Sequence, residues 1–331
     1  MKSAEEDSTT TSSIREQAKP SVTVRNTRLD PLQKAFGMAT IIVPTLGTVL
    51  AIVLAVVYGV DATALWLCGI MFVLTNLALE FGFHRNLAHK AVTTYPVIKY
   101  FFAVAGSMAG TGRILFWIAN HRRHHIHSDE ADDPHSPHVK RNAAGDVEEM
   151  NLAQGLWHAH YGHVLTGNQV NCTLFASDIN RDQGLKWIND NYIPIVFTGL
   201  LIPAVIGGVI EGSWMGFLTG FLWGGLVRMF LVHQSTWGLA SYSHRFGPSP
   251  FYTGEHDQSS NNVWVAIASF GSGWQNNHHA FPTSAFLGLK WYQIDMTAWF
   301  IVLLEKLGLA WNVKRPSKAQ IKEKLKDSVM V

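Results

Sequence analysis

Sixteen histidines occur among the 331 residues, and all of them lie between His84 and His279. Three dense groups stand out: His84-Arg-Asn-Leu-Ala-His89, His121-Arg-Arg-His124-His125 and Gln275-Asn-Asn-His278-His279. Neutral imidazole offers a nitrogen lone pair near physiological pH, which makes such clusters candidates for binding iron, zinc or copper. Ligand type alone does not choose among these metals. The seven histidines of the three groups exceed the needs of one tetrahedral zinc and suit two metals of higher coordination. Only Cys68 and Cys172 are present, so a metal must be held by His, carboxylate or amide groups.

Spacing refines this reading. Residues three and four apart share one face of an α-helix, so His121 is expected to point with His124 and His125 toward one ion. His84 and His89 are separated by about 140° around an ideal helix and converge only where the helix ends or distorts. One histidine-rich tract alone is modest evidence, since it can be a solvated loop or an adventitious metal binder. Three tracts, each following an apolar segment, would fold to one surface.

The elements that must position them are apolar. Hydrophobic residues make up 47% of the chain, charged ones only 15%, and there are 12 tryptophans, a balance that points to a membrane protein. Four stretches have bilayer length: Gly37 to Tyr58, Ala62 to about Phe83, about Tyr192 to Ile210, and Trp214 to about Val232. Minimal turns, Gly-Val-Asp and Glu211-Gly212-Ser213, join them in pairs. No Lys or Arg occurs between Lys34 and Arg85 or between Lys186 and Arg228, so every basic residue falls on one side, the cytoplasmic one by the positive-inside rule. The expected fold is an all-α membrane protein: four transmembrane helices in two hairpins, with a cytoplasmic helical cap carrying the histidine boxes. Residues 1–35 read as a disordered cytoplasmic tail, 36–310 as the integral-membrane domain and 311–331 as a charged cytoplasmic tail. Val92 to Ile118, apolar and rich in Gly and aromatics, lies in the interface or dips into the membrane. The net charge of +2 gives no reason to expect a nucleic-acid partner.

At these residues the chain resembles the membrane fatty acid desaturases, in particular the delta-9 acyl-CoA and acyl-lipid branch. The likeness covers nearly all of residues 37–300. Besides the three boxes it includes Asp132-Asp133-Pro134-His135, the segment Gly155 to His160, and Ser235-Thr-Trp237 leading to His244-Arg-Phe-Gly. The resemblance implies two iron ions, molecular oxygen as co-substrate, and ligands at His84, His89, His121, His124, His125, His244, His278 and His279. His244 follows from the family pattern alone. Three positions depart from that pattern: Gln275 stands where the box usually begins with His, Ala240 where an Asn helps hold one metal through water, and Gly271-Ser-Gly273 where Gly-Glu-Gly is customary. Gln275 still offers a carbonyl oxygen as a weak or replaced ligand, whereas Ala offers nothing.

The expected activity is oxygen-dependent introduction of a cis double bond near the middle of a fatty acyl chain linked to CoA, a carrier protein or a lipid. An external ferredoxin or cytochrome b5 type donor is required, since no haem-binding domain is evident after the third box. Trp117, Trp157, Trp237 and Trp274 are candidates for lining an acyl tunnel. His127, His135, His138, His158, His160, His163, His233 and His256 are read as supporting or surface groups. Rival readings are hydroxylation or acetylene formation at the same centre, a metal transporter, and a zinc-binding structural protein. The spans argue against transport because they lack ionisable residues, Glu80 near a span end excepted. The expected location is a bacterial inner membrane or the endoplasmic reticulum, with both termini and the metal site cytoplasmic.

Overall fold

The computed structural model describes residues 21–24, 28–142, 145–166 and 169–326. The described residues are mostly helical, with three small two-stranded antiparallel pairs. Among the described residues four helices are long and apolar enough to cross a membrane: Asp30–Tyr58, Ala62–Ala88, Tyr192–Glu211 and Trp214–Ser241. Local chemistry sets their ends. Asp61 caps the second helix by accepting from Ala64 N at 2.6 Å, Gly212 ends the third in a left-handed conformation, and Ser213 caps the fourth at Gly216 N.

Three of the helices outrun their apolar stretches. The second continues through His84 to Ala88 and the fourth through His233 to Ser241, so the extended ends of these spans are themselves helical and carry candidate site residues. Both change to π-helix on the way, over Ala78–Ala88 and Gly220–Val227. The first helix begins at Asp30, and Thr23–Val24 pairs with Gln169–Val170; the rest of the N-terminal tail, residues 1–20 and 25–27, lies outside the described residues. In the C-terminal segment Ala310–Trp311 pairs with Thr93–Thr94, a short helix runs over Lys318–Glu323, and residues 327–331 lie outside the described residues.

Only 17% of the most apolar window of the first span is buried within the protein. Leu46, Val57, Trp66 and Val209 are among the large apolar side chains left outward on the spans. A continuous apolar surface of this extent matches a hydrocarbon environment. The third span packs against Trp214–Val227 of the fourth, and the second packs mainly on the π-helical part of the fourth. The first also packs mainly on that stretch rather than on the second span. The Val92 to Ile118 segment forms the helix Pro96–Ser107 and the start of Ile114–His127. Its Phe102 meets Phe81 of the second span and Phe300 of the helix Met296–Lys306 edge to face, tying both helices to the span end.

Candidate metal centre

The π-helical turn resolves the spacing problem at the first box. His89 N donates to His84 O at 3.0 Å and Ala91 N to Arg85 O at 2.8 Å, so the wider turn brings residues five apart onto one face. The two rings lie 4.9 Å apart between centroids. Two groups of imidazoles result, each with ligand atoms within 4.8 Å of one another: His84, His89, His121, His125 and His278 in one, and His124, His244 and His279 in the other. The expectation that His121, His124 and His125 face one ion is therefore corrected. His124 and His125 differ by about 100° around the helix axis, so the helix wedges between the groups and serves both. His278 and His279 divide in the same way from the helix Gln275–Ala280.

Four carboxylates fix the ring orientations. The Nδ1 atoms of His84, His124, His244 and His279 face Glu80 at 3.2 Å, Asp133 at 2.8 Å, Asp129 at 2.8 Å and Asp257 at 2.6 Å. A proton held at Nδ1 leaves the Nε2 lone pair free for a metal. Nε2 atoms converge within each group, whether or not a carboxylate holds the ring: His84 on His278 at 3.0 Å, His89 on His121 at 2.6 Å, His125 on His278 at 2.8 Å and His124 on His279 at 3.3 Å. Burial, then the neighbouring imidazoles, holds His89, His121, His125 and His278 well below the ordinary histidine pKa, so they are neutral. Packed lone pairs of this kind repel unless a proton or a cation lies between them, and five neutral rings converging on one point form a donor set that fits a metal ion. Burial pushes His244 down, but the Asp129, Asp257 and Asp133 carboxylates outweigh it and raise it to about 9. A bound cation would take the place of that proton, its positive charge answered by the same carboxylates.

Arginines inside the boxes clamp the elements together. Arg122 donates to Leu87 O and Ala88 O, both at 2.9 Å, and to Asp178, which joins the first box to the second. Arg85 reaches Ala285 O at 2.7 Å and Asp295 at 2.8 Å, which joins the first box to the segment behind the third. Gly271 has φ +117°, and a Cβ there would strike Asp295. Beside it, the buried Ser272 hydroxyl donates to Glu80, so a carboxylate comes from the second span rather than from position 272.

A cavity of about 120 Å³ adjoins both groups, lined by Glu80, His84, His121, His124 and His244 together with Phe116, Trp117, Trp237 and Leu239. Trp117 stacks on His121 with ring centroids 5.3 Å apart. The arrangement sets candidate metal ligands and apolar side chains around one cavity.

A family model described as fatty acid desaturase matches residues 61–312. The chain belongs to the fatty acid desaturase family. Among its relatives are the hex-5-enoyl-[acyl-carrier protein] acetylenase of Moorena producens (strain JHB), 42% identical over 92% of this chain and 93% of the relative, and the sn-1 stearoyl-lipid 9-desaturase of Anabaena variabilis, 33% identical over 79% and 85%. The icosanoyl-CoA 5-desaturase of Limnanthes douglasii is 34% identical over 80% and 68%. This desaturase is thus an oxidoreductase of lipid metabolism, membrane-associated and dependent on a metal.

Two of the desaturase's three departures from the family pattern meet in one place, since Ala240 and Gln275 both line the cavity. Of the four tryptophans proposed as lining, Trp117 and Trp237 lie there; Trp157 is exposed, and Trp274 is buried with Nε1 donating to Ile294 O at 2.8 Å. His135 and His163 also line the cavity, and His135 stacks on His124. His138 Nε2 donates to His244 O, His160 bonds Gln234 and Ser241, and His233 Nε2 donates to Ala109 O. The functional groups missed by sequence reasoning are the carboxylates: Glu80 lies four residues before His84, a helical spacing that offered a signal, whereas Asp129 and Asp257 carried none of their own.

Proposed function

We propose that this desaturase holds two iron ions, one at His84, His89, His121, His125 and His278 and one at His124, His244 and His279, with Gln275 as a weak or replaced ligand, and uses them to dehydrogenate an acyl chain. The observation that carries this reading is the convergence of eight imidazoles in two groups beside an apolar slot. Iron, when bound, supplies with molecular oxygen the oxidation of an unactivated methylene pair. The balance is two hydrogens from the acyl chain, two electrons and two protons from outside, and one oxygen molecule reduced to two waters. An external ferredoxin or cytochrome b5 type carrier delivers those electrons.

The chain's own residues position the reaction. Phe116, Trp117, Trp237 and Leu239 hold the acyl chain against the metal face and exclude water, while Glu80, Asp129, Asp133 and Asp257 keep the imidazole rings aimed. The spans form two hairpins under a cytoplasmic cap, with residues 36–310 as the integral-membrane unit between cytoplasmic tails; the one-sided distribution of Lys and Arg supports this orientation. The acyl group is carried by CoA, a carrier protein or a lipid. A second reading, dehydrogenation of an alkene to an alkyne, is favoured by the 42% identity to an acetylenase across nearly the whole chain. Acyl profiling of a host expressing the wild type beside His124→Ala is expected to reveal a new alkene or alkyne that vanishes in the variant. A hydroxylated product alone, or no His124-dependent product, would overturn the reading.

A further inference from the structure

A second recess reaches the imidazole groups. Tyr252, Thr253, Gly254, His279, Glu323 and Lys324 line it, and none of them lines the cavity beside Trp117 and Trp237. His279 belongs to the second imidazole group, with its Nδ1 held by Asp257 at 2.6 Å. One wall of this recess is therefore a candidate metal ligand itself. The other wall is the C-terminal segment, which is fixed in place by specific bonds. Lys324 Nζ donates at 2.6 Å to the carbonyl of Ala280, the residue after His279. Tyr252 N donates to Lys324 O and Lys326 N to Pro250 O, both at 3.0 Å. Ile321 and Leu325 pack on Phe251, Ala280 and Phe281. The helix Lys318–Glu323 starts at a capping box of Ser317 and Gln320, which defines its conformation on the protein.

Positive charge is concentrated on this wall. Lys314 to Lys326 holds six of the 26 Lys and Arg residues and one acidic residue, Glu323, although the whole chain carries only +2. Lys318, Lys322 and Lys326 are exposed, and among the described residues none of them meets a carboxylate. Lys318 and Lys322 stand one turn apart on one helix face, where like charges oppose the helix unless an outside partner answers them. Two acidic proteins could serve the reaction, an acyl carrier and an electron carrier. An acyl carrier must deliver its chain to the other cavity, whereas an electron carrier needs only a close approach to a metal-bound imidazole. We infer that the recess and its basic wall are the docking site of a one-electron carrier protein with an acidic face, seated against His279. The inference rests on the acyl dehydrogenation proposed above and gives the electron carrier its place on the protein. Each docking oxidises the carrier by one electron and reduces the metal centre by one, so two dockings supply the two electrons consumed per product.

The test uses the full-length, iron-loaded enzyme in detergent with reduced ferredoxin or reduced cytochrome b5, and the variant Lys318→Glu/Lys322→Glu/Lys326→Glu. Carrier reoxidation is followed by absorbance without oxygen or acyl substrate, so electron delivery is read apart from dehydrogenation. The variant is expected to keep its iron and to take electrons at least about tenfold more slowly at low salt, the difference shrinking as salt rises. Lys186→Glu, at an exposed lysine outside this segment, should leave the rate unchanged. An unchanged rate in the folded triple variant overturns the inference. So does a variant that loses affinity only for acyl carrier protein or for phosphatidylglycerol vesicles, which would assign the basic wall to that ligand. Iron that neither carrier reduces in the wild type also overturns it. Prompt reduction followed by no acyl product under oxygen would overturn the dehydrogenation reading and leave the docking site standing. Where the triple variant does not fold, Lys322→Gln and the salt dependence of the wild-type rate decide, a rate indifferent to salt counting against the site.

Discussion

Replacing His278 with alanine is expected to abolish acyl conversion and to remove metal from the protein. Its Nε2 lies 3.0 Å from that of His84 and 2.8 Å from that of His125, so it sits at the centre of the five-imidazole group. Its truncation leaves the first and second boxes without the third. Losing even an outer partner of a metal-bound histidine costs about 10–100-fold in affinity or activity, so losing the ligand itself should exceed that range. Asp133→Asn provides the comparison. Asp133 touches no metal in this account but orients His124 at 2.8 Å and accepts from Asp129 N at 2.9 Å, so it should fall within about 10–100-fold. Metal content and product yield, measured together on folded protein, check both. A His278→Ala enzyme that retains its metal and turnover would remove that histidine from the centre.

The second large effect is on stability. Arg85 and Asp295 are almost fully buried and paired at 2.8 Å. Asp295 also accepts from Leu287 N, Gly288 N and Ala298 N, so one carboxylate holds the Arg85 guanidinium, a loop and the start of the helix Met296–Lys306. Asp295→Ala leaves a buried guanidinium without its counter-charge, an uncompensated loss of about 3–5 kcal/mol. Replacing Arg85 as well removes the orphaned charge and should recover part of that loss. Thermal unfolding in detergent checks the pair. A double variant less stable than the sum of the single losses would contradict the pairing argument.

The four spans and the three boxes were legible because both are local patterns: apolar length for one, histidine spacing for the other. What was hidden depends on departures from ideal local geometry or on distant pairing. An ideal helix separates His84 from His89, and only the π-helical turn over Ala78–Ala88 brings them together. The division of His124 from His125 is local geometry too, but it becomes meaningful only once His244 and His279 arrive from elsewhere. Asp129 shows the limit most plainly, since its partner His244 lies 115 residues away. In the same way Asn76 reads as a lone polar residue in an apolar span until Ala268 and Ser235 close around it.

Metal analysis of the purified full-length protein, prepared without chelators and assayed for acyl dehydrogenation in the same sample, bears most directly on the two-iron centre. About two irons per chain are expected in active protein, in keeping with two separate imidazole groups. Full activity with one iron per chain, or with zinc in place of iron, would contradict it.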